Sequence, residues 1–110
     1  MLCNIPGMSQ PKDTPALDTE MDKLAAKLTE MGIQFEDQQL HILKGRQITV
    51  FEKGRRAWDA VCHAESYGGK RGLLEVMGVI VDGKRENGDV KGWLTADDVI
   101  QMVEAYIWKK

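Results

Sequence analysis

The sequence predicts an α+β fold: an N-terminal helix, an antiparallel β-meander of three to four strands, a short buried segment and a C-terminal helix. Three observations carry this reading. Leucine and methionine recur at helical spacing over residues 17–31, the apolar period drops to two over residues 33–63, and helical spacing returns after Thr95. A chain of 110 residues that is 43% apolar and 29% charged fits one folded domain rather than a disordered segment. Residues 1–13, with Pro6, Gly7 and Pro11, have no period and read as a flexible tail, leaving 14–110 as the domain.

Thr14-Pro15 opens the first helix, because threonine caps free N–H groups and proline at the first position has none to lose. Leu17, Met21, Leu24, Leu28 and Met31 then share one face, and Gly32 supplies a left-handed stop. That heptad-like stripe either covers the sheet or pairs with a second copy in a homodimer. Ile33 and Phe35 lead into a strand through Leu40-His41-Ile42-Leu43. The turn Lys44-Gly45-Arg46 then returns the chain along Gln47–Phe51, and Glu52-Lys53-Gly54-Arg55-Arg56 turns it into Ala57–His63.

A glycine-rich loop, Ser66–Gly72, precedes the apolar run Leu73–Val81, where periodicity does not separate buried helix from buried strand. The helix formers Leu73, Leu74, Glu75 and Met77 favour a short helix, with Val79–Val81 extended. Asp82–Asp89 is a polar loop. Thr95 and Asp98 form a capping box, Leu94 staples onto Val99, and Val99, Ile100, Val103, Tyr106 and Ile107 make the apolar face of the last helix. Trp93, beside the cap, is expected in the core, and Trp108 is expected exposed, as an anchor for a partner.

The net charge of −2 conceals an uneven distribution. Residues 1–40 carry seven acids and three bases, whereas residues 41–85 carry nine bases and five acids. A basic middle attracts phosphate or an acidic protein surface; alternatively its cations are the solvated tips of turns. Read as a contact surface, it gives Arg46, Lys53, Arg55, Arg56, Tyr67, Lys70 and Arg71, with Trp108, as partner-binding residues. Ser66, Tyr67, Gly68, Gly69, Lys70 and Arg71 form the alternative site, where an aromatic ring stacks a nucleotide base and bare backbone cradles a phosphate.

No enzyme is expected. Cys62 and His63 are adjacent on a strand and point to opposite faces, so they do not activate each other. Ser66 lacks the G-x-S-x-G elbow, and Gly68–Gly72 lacks P-loop spacing. Cys3, Cys62, His41 and His63 are the only Cys and His residues, and a zinc site built from them would recruit a tail cysteine, so neither metal nor cofactor is expected. The paucity of cysteine suits a reducing compartment, the N-terminus lacks the pattern of an export signal, and no apolar run is long enough to span a membrane. The acidic balance and the absence of a basic recognition helix disfavour DNA binding.

The combination Cys62-His63, Ser66-Tyr67-Gly68, Gly72-Leu73-Leu74-Glu75, Met77-Gly78 and Gly92-Trp93-Leu94-Thr95-Ala96 with Val99 resembles a group of small, uncharacterised bacteriophage and prophage proteins of Firmicutes. The resemblance covers roughly residues 20–108 and implies a mobile-element origin and action in the host cytoplasm. By analogy with other small phage proteins, it points to a non-enzymatic protein that binds and inhibits a host defence factor. The sharpest version is an anti-CRISPR inhibitor of a Cas nuclease, and the alternative is a protein that sequesters an immune signalling nucleotide.

Overall fold

A computed structural model of the chain describes residues 19–40, 45–63, 66 and 71–109. The expected tail, the Thr14-Pro15 helix start, Leu17 and His41 lie outside them. Helix α1 spans Thr19–Glu30, strands β1 Phe35–Leu40, β2 Gly45–Glu52, β3 Arg55–Cys62 and β4 Leu74–Gly78 follow, then helix α2 Val79–Asp82, strand β5 Val90–Leu94 and helix α3 Ala96–Lys109. The strands form one antiparallel sheet in sequence order, β1-β2-β3-β4-β5. The architecture is therefore the expected α+β meander, one strand longer than the sequence indicated.

The ladder pairs Ile48 with Ala60 and Val50 with Trp58, and continues through Ala60 to Val76. These residues lie on one face and join Met21, Leu24 and Leu28 of α1, Val79 and Ile80 of α2, and Val99, Ile100 and Val103 of α3 in a single core cluster. Met21, Leu24 and Leu28 are fully buried, so the period read in α1 is the face that covers the sheet. Helix α1 ends as its sequence predicts. Gly32 adopts φ 74, the Ile33 N–H donates to Leu28 O and the Gly32 N–H donates to Thr29 O, the paired bonds of a Schellman motif. The start of α3 is a capping box: the Asp98 N–H donates to Thr95 Oγ1 (3.1 Å) and the Thr95 N–H donates to Asp98 Oδ2 (2.9 Å). Glu20 of α1 adds a third contact, since its Oε1 accepts from the Ala96 N–H at 2.7 Å and ties the two helices at their N-terminal ends.

Four expectations are corrected. Residues 74–78 are strand and 79–82 are helix, the reverse of the sequence reading. Leu74, Val76 and Gly78 are buried while Glu75 and Met77 are half-buried, the alternation of a strand flanked by β3 and β5, and partners on both sides outweigh local helix propensity. Gly45 and Arg46 belong to β2 rather than to a turn, and β1 lies earlier than expected, on the polar run Phe35–Leu40. Val90–Leu94, a stretch to which the sequence reading assigned no element, is an edge strand. Trp93 is not a core residue; it is 59% exposed and held at φ 61, where the β4–β5 register shifts.

Candidate functional site

The β2–β3 hairpin turns on Lys53 and Gly54, with φ 54 and 79, the two left-handed residues of a type I′ turn. Lys53 at the turn and Arg55 just after it are exposed, and neither has an ion-pair partner among the described residues. Arg56 is half-buried and clasps the loop after α2. Its Nη2 donates to Arg85 O at 3.3 Å, while Arg85 Nη1 donates to Arg56 O at 3.1 Å. Arg85 Nη2 also reaches Glu52 Oε1 at 3.3 Å, and that oxygen accepts the Tyr106 hydroxyl at 3.0 Å. The loop itself is fixed by Asp82, whose carboxylate accepts from the Lys84 N–H (3.1 Å) and the Asp89 N–H (2.8 Å). These backbone donors hold its pKa below the usual carboxylate range.

The result is a built cationic end. The hairpin tip brings the exposed Lys53 and Arg55, the loop brings Lys84 and Arg85 together with the acids Asp82, Glu86 and Asp89, and the Arg56–Arg85 clasp joins the two. Beside it lies a largely apolar groove of about 350 Å³, between the α1–β1 connection, the end of β2 and the last turns of α3. A second groove, of about 550 Å³, runs between α2 and α3, and Tyr106 borders both.

The expected contact residues divide three ways. Lys53, Arg55 and Arg71 are exposed, as is Trp108 at 86%. Arg46 is not a solvated turn cation. Its Nη2 lies 2.6 Å from Asp37 Oδ2 and its Nη1 2.5 Å from Asp22 Oδ1, which raises its pKa and leaves the side chain 13% exposed between β1 and α1. Arg56 is likewise committed to the internal clasp and to Asp59, 3.5 Å away. Tyr67, Gly68, Gly69 and Lys70 lie outside the described residues.

Ser66, expected in the nucleotide-binding alternative, sits inside its own turn. It is buried, and its hydroxyl donates to His63 O at 2.9 Å and accepts the His63 N–H at 3.0 Å, two bonds that close the turn after β3. Cys62 is a buried thiol of the core. Among the described residues no group of three His, Cys, Asp or Glu side chains is arranged to hold a metal ion. No described helix is long and apolar enough to cross a membrane.

Lys84 and Arg85, absent from the expected site, join it only through tertiary structure. Their presence in the basic middle of the sequence was the available signal. Asp59 was missed as well. It points away from the helices yet is only 7% exposed, and Gln47 Nε2 donates to its Oδ2 at 2.6 Å. Burial pushes its pKa above the ordinary carboxylate value, against the opposing pull of Gln47 and Arg56. Between the ordinary and the raised value the native state binds more protons than the unfolded chain, so Asp59 lowers stability as pH rises through that window. Asp59→Asn keeps the acceptor for Gln47 and is expected to be more stable than wild type at pH 7. Its advantage should shrink as the pH falls to about 4. Urea midpoints at the two pH values check this; a less stable variant at pH 7 would show that the Arg56 pair outweighs desolvation.

Compared with known proteins, the chain matches no family model, no curated protein sequence and no solved structure.

Proposed function

We propose that this chain is a non-enzymatic accessory protein of phage origin that binds and blocks a host defence factor, with a Cas nuclease as the most specific form. The observation that carries the reading is the cationic end, where Lys53 and Arg55 are exposed while Arg56 and Arg85 are spent on holding their supports together. Rigidly presented cations beside an apolar groove suit an acidic protein surface, since charge steers the encounter and the apolar contact sustains it. The sequence resemblance supplies the phage setting. Nucleotide sequestration gains no support from Ser66, whose hydroxyl is already used within its own turn.

The test is inhibition of target cleavage by purified Cas nuclease–guide complexes, together with capture of defence proteins from host lysate by the tagged chain. The wild-type chain is expected to inhibit or to capture a defence component. Lys53→Glu/Arg55→Glu should weaken that binding by about tenfold or more, equivalent to about 1.4 kcal/mol. If the chain neither inhibits nor captures any defence component, or if the charge-reversed chain binds as before, the proposal fails.

A further inference from the structure

We infer that the groove beside the cationic end is a docking site for an acidic protein segment that inserts one large apolar side chain. The inference rests on the reading of the cationic end given above and names the kind of partner it takes. Val50 and Trp58 are buried in the floor, 5% and 3% exposed, and Ile33, Phe51, Tyr106 and Ile107 supply apolar wall beside the polar Gln34 and Glu52. Phe51 and Ile107 are 44% and 47% exposed, and Trp108, the next residue along α3, is 86% exposed. Two of the large exposed apolar side chains, Phe51 and Ile107, therefore line one groove, and such a paired exposure marks an interaction surface more than scattered single residues do. A volume of about 350 Å³ is at the small end for ligand pockets and suits an aromatic or leucine side chain.

Charge identifies the occupant. Glu52 lies at the groove, but its carboxylate is countered by Arg85 and bonded to the Tyr106 hydroxyl. Lys53 follows Glu52, and Arg55 stands opposite Glu52 in the β2–β3 ladder, so two exposed cations adjoin the one charged residue of the groove lining. A second copy docking by the same surface would bring Lys53 and Arg55 to both sides of one contact, adding like charge where an acidic partner adds complementary charge. A segment carrying aspartate and glutamate around a hydrophobic anchor satisfies both halves of the site.

The experiment uses the full chain and a labelled peptide of Asp and Glu residues with one central Phe. Its controls replace that Phe by Ser, or every acid by Lys. Fluorescence anisotropy gives affinity and amide chemical shifts give the position. The acidic Phe peptide is expected to bind about tenfold or more tightly than the Ser form. It should shift amides of residues 50–52 and 103–108, and lose about tenfold or more in affinity with Ile107→Ser and with Lys53→Glu/Arg55→Glu, each variant first shown to melt as a folded protein.

Binding that ignores the Phe and Ile107 but needs Lys53 and Arg55 overturns the groove inference while leaving the cationic-end reading intact. Equal binding of the Lys peptide, no saturable binding, or shifts elsewhere in the chain overturn the inference too. Concentration-dependent self-association that blocks the peptide would overturn it in favour of a second copy. In each case the capture experiment above decides the broader function separately.

Discussion

Gly78→Ala is expected to cost about 3–5 kcal/mol, the sum of backbone strain and overpacking at one position. Gly78 sits at the junction of β4 and α2 with φ 129 and ψ −162, a region open essentially to glycine. A Cβ there would lie 2.4 Å from the Ala57 carbonyl oxygen and 2.4 Å from the Trp58 Cα, both of them backbone atoms of the neighbouring strand. Neither can move without opening the β3–β4 ladder, in which Gly78 pairs with Trp58. The loss is a large share of the roughly 5–15 kcal/mol that holds a domain together. Gly54→Ala is the control: Gly54 also has positive φ, but nothing lies within 4 Å of its Cβ position, so it should lose only about 1 kcal/mol. Urea unfolding of both variants measures the difference. A cost under about 1 kcal/mol at Gly78 would mean that the junction is not packed as described.

Trp58→Ala is expected to destabilise by about 3–5 kcal/mol, the usual range for removing a buried aromatic. Trp58 is 3% exposed, stands opposite Val50 and Gly78 in its two ladders and closes the floor of the groove. The glycine and the tryptophan are complementary: the missing Cβ of one makes room for the backbone and Cβ of the other. Removing the indole should therefore also deepen the groove, joining its volume to the core. Calorimetric or denaturant unfolding gives the stability term, and xenon or small-aromatic binding detected by chemical shifts reports the opened space. Unchanged stability would place Trp58 outside the core.

The parts of the fold legible in the sequence are those fixed by near neighbours. The α1 face, the Gly32 stop, the Thr95–Asp98 box and the Lys53–Gly54 turn each depend on residues a few positions apart. The inverted reading of residues 73–82 has the opposite origin. Leu74, Val76 and Val79 are apolar in either conformation, and only the ladders to β3 and β5 decide which stretch is strand. Strand β1 was expected too far along the chain because Glu36, Asp37, Gln38 and Gln39 form an exposed polar edge with no apolar alternation. Strand β5 was hidden by Gly92 and by a tryptophan at positive φ. At the site, Lys53 and Arg55 could be read as exposed turn cations. The commitment of Arg46 to Asp22 on α1, and of Arg56 to the loop at Arg85, joins residues too distant in the chain for spacing to reveal.

Hydrogen–deuterium exchange of the chain alone and bound to a captured partner tests the central claim directly, because it locates the covered surface without altering it. The account predicts slowed exchange confined to the β2–β3 hairpin around residues 51–56, the loop around 83–86 and the end of α3 over 103–108. Protection over the β1 edge and α1, or over β5 around Trp93, with the hairpin exchanging as in the free chain, would contradict it.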